Sequence, residues 1–458
     1  MSIREERICQ LNARSVNTSG KYVLYWMQQA QRPYWNHALE FAVRQSNKLD
    51  LPLLVVFGLM DDYPEANTRH YQFMLEGLKN TSEILSKRSI KLAVVKGHPA
   101  DIAIAYANDA ASLVCDKGYL KHQKQWRADV AEKCTCTVFQ VETDVVVPVS
   151  KVSKKQEYAA RTIRPKIQRY LEDFLDEPGT DRIKHSSLSI EVKKELKLDN
   201  PSEIVKSLKL DNTIPPVSQF FKGGPDEAIR RFNNFIDNHL RQYTDNRNQP
   251  QTDDISHMSP YLHFGQVSPA WLVHKVSQSG NHKDAESYIE ELVVRRELAI
   301  NFVNNTRDYD QYSCIPDWAQ KTLYEHSSDK REYVYSLKEL ESCTTHDPYW
   351  NAAMKEMTVT GFMHNYMRMY WGKKILEWSE DPEQAYEHCL HLNNKYFLDG
   401  RDPNSFANVA WIFGLHDRPW GEFPYFGKVR TMKASGLKRK FDPELYIRKV
   451  KKLEDQRA

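Results

Sequence analysis

The chain has 458 residues, 41% of them hydrophobic, with 64 Lys and Arg against 61 Asp and Glu for a formal net charge of +3. That length can bury a sizeable core and make two or more domains. No run approaches the ~18 apolar residues of a membrane span. The seven cysteines are odd in number and scattered, which excludes a zinc ribbon and fits reduced thiols in a cytosolic or nuclear protein.

The polar start MSIREERICQ has no apolar signal core. Short apolar runs of strand length then recur at 22–27, 51–59, 90–95, 111–115 and 136–141. Amphipathic, helix-like stretches lie between them at 35–45, 68–86, 99–108 and 123–132. This alternation predicts an α/β domain on a mostly parallel sheet. No GxGxxG follows the first strand, so the usual dinucleotide fingerprint is absent. Residues 154–174 are basic and helical in pattern, interrupted at Pro165. Residues 176–225 turn polar and rich in Pro and Gly, and read as an interdomain connector with one short helix at 189–197. Helical patterns dominate after Asp226, at 226–240, 269–278, 284–304, 358–378 and 382–391, with no convincing strand. The expected organisation is a Rossmann-like α/β unit over 1–175, a connector over 176–225 and an all-α unit over 226–458.

Unusual chemistry concentrates at 346–420, where five of the ten tryptophans lie: Trp350, Trp371, Trp378, Trp411 and Trp420. Around them sit His364, Asn365, Arg368, Asn393, Asp399, Asp402, Asn404 and the pair Asp417-Arg418. The combination suits a large aromatic cofactor with an apolar wall, and equally the Trp-rich core of a helical domain. Ser256 and Ser259 precede Pro260 and a helical run, where hydroxyls and N–H groups either cap the helix or hold a phosphate. In EELVVRREL (290–298), Glu291 and Arg295 stand four apart, the spacing of a surface ion pair on a helix. The continuation LAINF makes that face partly apolar, and a buried carboxylate there needs a specific partner. Ten Lys and Arg lie between 428 and 452 against Asp442 and Glu444, either a phosphate-binding face or a solvated segment.

Several motifs together closely resemble the class II cyclobutane pyrimidine dimer DNA photolyases of the photolyase/cryptochrome family. They are SPYLHFG, EELVVRREL, THDPYWNA, MHNYMRMYWGKKILEWS, LNNKYFLDGRDPN and WIFGLHDRPWGE, with YWMQQAQRPYWNHAL and EYAARTIRPKI toward the N-terminus. The resemblance covers about residues 20–450. It implies light-driven repair, in which excited reduced FAD (FADH⁻), folded over inside the helical domain, gives an electron to a pyrimidine dimer.

On that resemblance, Tyr243, Ile255, Ser256, Met258, Ser259 and Leu262 match the residues holding the flavin phosphates and ribityl chain. Arg368, Asp399, Gly400 and Asn404 match polar contacts to the flavin, and Asn393 matches the asparagine facing its N5. Glu291 looks like the acid that bonds a thymine carbonyl, where a poised donor stabilises developing negative charge and partial burial would raise its pKa. Met369 resembles the methionine packed on the dimer, and Asn365 a flavin- or lesion-facing asparagine. Trp371, Trp350 and Trp378 match an electron-transfer chain, innermost to outermost; Trp371 and Trp378 lie seven apart, on one helix face. Trp411 and Trp420 look like the bed for a flipped-out lesion. Arg247 resembles the residue that fills the gap left in the duplex, with Arg418, Lys428, Arg430, Lys438 and Arg439 as DNA contacts.

Arg295 departs from a relative's lesion-contacting tryptophan, which leaves it to pair with a phosphate or with Glu291. The expected partner is UV-damaged DNA, with no metal and no membrane, for a monomer in the cytoplasm, or in the nucleus of a eukaryote. An antenna chromophore of the deazaflavin type is implied for the N-terminal domain, although no residue pattern there specifies one. A cryptochrome-like photoreceptor that binds FAD without repair is the alternative, and a non-catalytic DNA-binding flavoprotein a third reading.

Overall fold

Strands β1 (Ile8–Gln10), β2 (Tyr22–Trp26), β3 (Leu53–Leu59), β4 (Lys91–Lys96), β5 (Ala110–Asp116), β6 (Thr137–Val141) and β7 (Glu195–Leu196) form one sheet in the order β1-β6-β5-β2-β3-β4-β7. This computed structural model describes residues 3–457; Met1, Ser2 and Ala458, at the ends of the two outer units expected above, lie outside the described residues. The five central strands run parallel, with β1 and β7 antiparallel at the edges. Every residue of β2, β3 and β5 is buried. Crossover helices His37–Leu49, Thr68–Lys87, Pro99–Ala107 and Lys121–Lys133 cover both faces, which is why these strands read as apolar runs rather than alternations. After residue 225 every regular element among the described residues is helical, apart from one isolated bridge between Phe423 and Gly427. No helix among the described residues is long and apolar enough to cross a membrane.

Four expectations need correction. Residues 189–197 form no helix; Lys194 takes a left-handed φ of 58° and Glu195–Leu196 add to the open edge of β4. A helix so short has little stability of its own, and unpaired edge groups offer the segment better partners. The helix of this region is Pro201–Ser207, and Ile204, Val205 and Leu208 pack on the sheet's core, so the connector clings to the α/β unit. The pattern over 154–174 becomes only Ala160–Gln168, which runs through Pro165, and a 3₁₀ turn at Glu172–Phe174. The run 358–378 is two helices, Pro348–Thr360 and Asn365–Trp378, parted by Gly361 at φ +76°. A Cβ on Gly361 would come within 2.9 Å of the Leu398 side chain, so glycine both permits the left-handed turn and lets the next loop close on it. The fourth correction, at 290–295, concerns the site and follows below.

The two units meet across buried arginines. Arg69, only 1% exposed, starts the helix Thr68–Lys87. It donates to the carbonyls of Pro215 (3.2 Å), Met357 (3.2 Å), Thr358 (2.6 Å) and Tyr396 (2.7 Å). Its neighbours Asn67 and His70 reach Lys395 O (2.7 Å) and Phe397 O (2.9 Å). Arg32 pairs with Asp144 (2.6 Å) and donates to Gly265 O (3.0 Å). We expect Arg69→Met, which strands these carbonyls, to cost about 3 kcal/mol of stability by urea unfolding. A loss under about 0.5 kcal/mol, as for an ordinary surface change, would show that the seam does not depend on it.

Candidate functional site

The Gly361 turn and a second loop, 397–402, lie side by side, Leu398 N donating to Gly361 O (2.8 Å), and both contribute to the wall of a cavity that opens to solvent. Asp-Pro pairs help to set the frame. Asp347, Asp381 and Asp402 each cap a helix whose first residue is proline, accepting backbone N–H groups. Asp402 also meets His263 Nδ1 at 3.2 Å; burial pushes its carboxyl up, but His263 and the Asn404 N–H bring it below the usual range. His364 caps the helix that follows the turn, its Nδ1 accepting from Tyr366 N (3.2 Å), and burial lowers its pKa to about 3, so the ring stays neutral.

Nine of the eleven residues expected at the phosphates, ribityl chain and flavin, all but Gly400 and Asn393, line this cavity: Tyr243, Ile255, Ser256, Met258, Ser259, Leu262, Arg368, Asp399 and Asn404. Gly400 does not; it lies against Asn393 O and Phe397 O, where a Cβ would come within 3.0 Å of either. Asn393 is buried outside the lining, its amide donating to Asn394 Oδ1 (3.1 Å). Arg368 pairs with Asp399 (3.0 Å), donates to Met363 O (3.0 Å) and lies 3.9 Å from the centre of the Phe397 ring. Ser259 Oγ and Asp399 Oδ1 are buried with no partner among the described residues. A phosphate or ring group carrying donors and acceptors would satisfy both, so the wall fits the cofactor that the motifs imply.

Glu291, Arg247 and Asn365 stand on the same cavity wall. The expected Glu291–Arg295 pair is not made, because Glu290–Arg295 is a π-helical segment. Widening the turn brings i and i+5 together instead of i and i+4, so Arg295 Nε meets Glu290 at 3.4 Å. Glu290 is also held by Arg164 through two contacts, at 2.7 and 3.0 Å. Glu291 is thereby turned toward the cavity, where Arg247 Nη1 lies 2.7 Å from its Oε1, both side chains about a third exposed.

Trp371, Trp350 and Trp378 share one buried cluster. Trp350 Nε1 donates to Trp371 O (2.9 Å), and the Trp350 and Trp378 rings lie 5.5 Å apart. Trp371 packs edge-on against Phe397 at 6.4 Å, so Phe397 joins Arg368 to the tryptophans, a contact absent from the sequence reading. Trp378, expected outermost, is itself only 2% exposed and abuts Tyr335 (5.2 Å) and His346 (5.4 Å). Met369 and Trp411 are half-buried outside the cavity lining, with Lys373 Nζ 5.6 Å from the Trp411 ring. Arg418, Trp420, Lys428, Arg430, Lys438 and Arg439 are exposed.

A second cavity lies past the carboxyl ends of β2 and β3, between Trp26, Gln28, Tyr63 and Trp126 on the sheet side and His263, Arg296 and Arg401 on the helical side. Crevices at this end of a parallel sheet are where such folds bind ligands. Trp26 Nε1 and both amide atoms of Gln28 are buried there without partners among the described residues. Its lining comes from separate segments of both units, which is why no local motif announced it.

A family model for DNA photolyase matches residues 23–184. The chain is 47% identical over 454 residues to the deoxyribodipyrimidine photo-lyase of Methanothermobacter thermautotrophicus, covering 99% of this chain and 100% of the relative. It is 38% identical to that of Potorous tridactylus, covering 93% of this chain and 81% of the relative. A class III photolyase from Agrobacterium tumefaciens superposes with a TM-score of 0.74 at 20% identity, over 96% of this chain and 87% of the other, which supports the fold alone.

Asp399→Ala should destabilise by about 3 kcal/mol in urea, since it leaves the Arg368 guanidinium without its countercharge. Adding Arg368→Ala should recover at least ~1 kcal/mol relative to the sum of the singles; strict additivity would mean that the pair is not coupled.

Proposed function

Because the chain belongs to the DNA photolyase family, we propose that it repairs cyclobutane pyrimidine dimers in UV-damaged DNA, driven by light absorbed at the cavity of its helical unit. The observation that carries this reading is the gathering of nine expected cofactor residues on one cavity wall with Glu291, Arg247 and Asn365. Reduced FAD, when bound and excited by blue or near-UV light, supplies the electron that splits the dimer and takes it back. The chain's share is to hold cofactor and lesion together, exclude water and stabilise charge.

In this reading Ser259, Arg368 and Asp399 hold the cofactor. Glu291, released from Arg247 by an entering lesion, bonds a pyrimidine oxygen as negative charge builds on it. Trp411 and Trp420 receive the flipped-out dimer, and Lys428, Arg430, Lys438 and Arg439 contact phosphates without reading sequence. Trp371, Trp350 and Trp378 pass an oxidising equivalent outward when the cofactor has to be reduced. Residues 226–458 form the catalytic unit and 1–175 the antenna unit, and the second cavity takes a planar chromophore of the deazaflavin type, whose polar edge would answer Trp26 and Gln28.

Purified, photoreduced protein incubated with dimer-containing DNA should remove dimers in light and not in darkness. A protein that holds the cofactor yet leaves every dimer intact would be a photoreceptor and would end the repair reading. Trp371→Phe should cut photoreduction of the oxidised cofactor to a small fraction of its rate while pre-reduced enzyme still repairs. Equal losses in both assays would make Trp371 a packing residue rather than a relay.

A further inference from the structure

The loop 416–432 carries Trp420, 40% exposed, with the Arg418 and Arg430 guanidiniums 5.3 and 5.0 Å from its ring centre. Its shape is imposed largely by the helix Asp317–Glu325 and the segment just after it. Lys428 N donates to Thr322 Oγ1 (3.0 Å), Tyr425 N to Asp329 Oδ2 (3.0 Å) and the Tyr425 hydroxyl to Lys330 O (3.0 Å). At the centre stands His326, with Nδ1 2.6 Å from Asp329 Oδ2 and Nε2 3.0 Å from Glu422 Oε1. Gly427, at φ +50°, lies so close that a Cβ would approach His326 Cδ2 to 2.9 Å.

A neutral imidazole has one N–H, and two carboxylates at its two nitrogens require both, so the ring here is an imidazolium. Asp329 belongs to the scaffold, whereas Glu422 lies two residues from Trp420. The charged ring is therefore an ionic link between scaffold and loop. We propose that the His326 imidazolium is a pin that holds the Trp420 loop ready for the lesion, a positioning residue for the repair reaction. The lesion half of this proposal rests on the reading of Trp420 given above; the pin itself does not.

Asp329 and Arg331 face this cluster from His326's own segment, Glu422 and Tyr425 from the loop, and Lys330 lines the same cleft. The Asp329 and Glu422 carboxylates hold the proton on His326 above the ordinary histidine range. Below that raised value the ring is charged and both contacts stand. As pH rises through it, one nitrogen presents a lone pair to a carboxylate and the loop loses this ionic tie, keeping only the neutral bonds at Thr322 and Lys330 and the Tyr425 N–H on Asp329.

The test measures affinity for dimer-containing and undamaged duplex from about pH 6 to pH 9, for the wild-type protein, His326→Gln and His326→Arg. Preference for the dimer should fall roughly threefold to tenfold with rising pH in the wild type, be low and flat in His326→Gln, and stay flat in the permanently charged His326→Arg. Hydrogen exchange at the Tyr425 and Lys428 amides, corrected for the intrinsic rate, reads the pin without DNA and should accelerate in His326→Gln. Unchanged exchange in that variant overturns the pin. Faster exchange with an unchanged dimer preference and pH profile overturns its link to the lesion. A wild type that never prefers dimer DNA overturns the repair reading and leaves the pin to the exchange result.

Discussion

A guanidinium buried without a carboxylate has to be met by carbonyls, and Arg69 obliges three distant segments to bring theirs to one point. Burial lowers its pKa only to about 9, so it stays charged at neutral pH and the demand persists. Two of its acceptors, Met357 and Thr358, end the helix before the Gly361 turn, and a third, Tyr396, opens the 397–402 loop. Those are the two loops that carry Phe362, Met363, His364 and Asp399 to the cavity. The α/β unit thus shapes a site to which its sheet contributes no lining residue. Arg401, donating to Asn394 O, and His70, donating to Phe397 O, fasten the same loop again.

Two economies of geometry follow inside the helical unit. The π-helical turn at Glu290–Arg295 separates adjacent carboxylates, sending Glu290 to Arg164 and Arg295 and Glu291 to the cavity. A regular α-helix would have set Glu291 against Arg295 and spent its charge on the surface. Phe397 works in a similar way on the other wall. It supports the Arg368 guanidinium on one side and touches Trp371 on the other, so a single ring joins the polar pocket to the buried indoles.

Much of this was legible in the chain. The five parallel strands appeared as apolar runs because both faces of each are covered. The motif residues of the cavity wall could be named in advance by likeness, and nine of eleven converge; Gly400 falls outside because it serves the loop's close approach to Asn393 and Phe397, and Asn393 because its amide turns to Asn394. The Asp-Pro pairs at 347, 402 and 442 were a signal of helix starts that pattern alone had passed over, whereas the helix after Asp381 was read from its first residue, Pro382. Less legible were breaks and windings, since Gly361 splits a helical pattern whose periodicity runs on across it, and nothing in EELVVR distinguishes a π-turn from an α-turn.

The sequence by itself therefore determined the two kinds of unit, their order, the family and most of the side chains that meet on the cavity wall. These depend on burial pattern and local motif, which neighbouring residues encode. The tertiary structure alone decided which charges meet. Arg247 and Glu291, Arg368 and Asp399, and His326 with Asp329 and Glu422 pair as they do because packing sets their distances. The second cavity is of the same kind: its walls come from both units, and a space between segments has no sequence of its own.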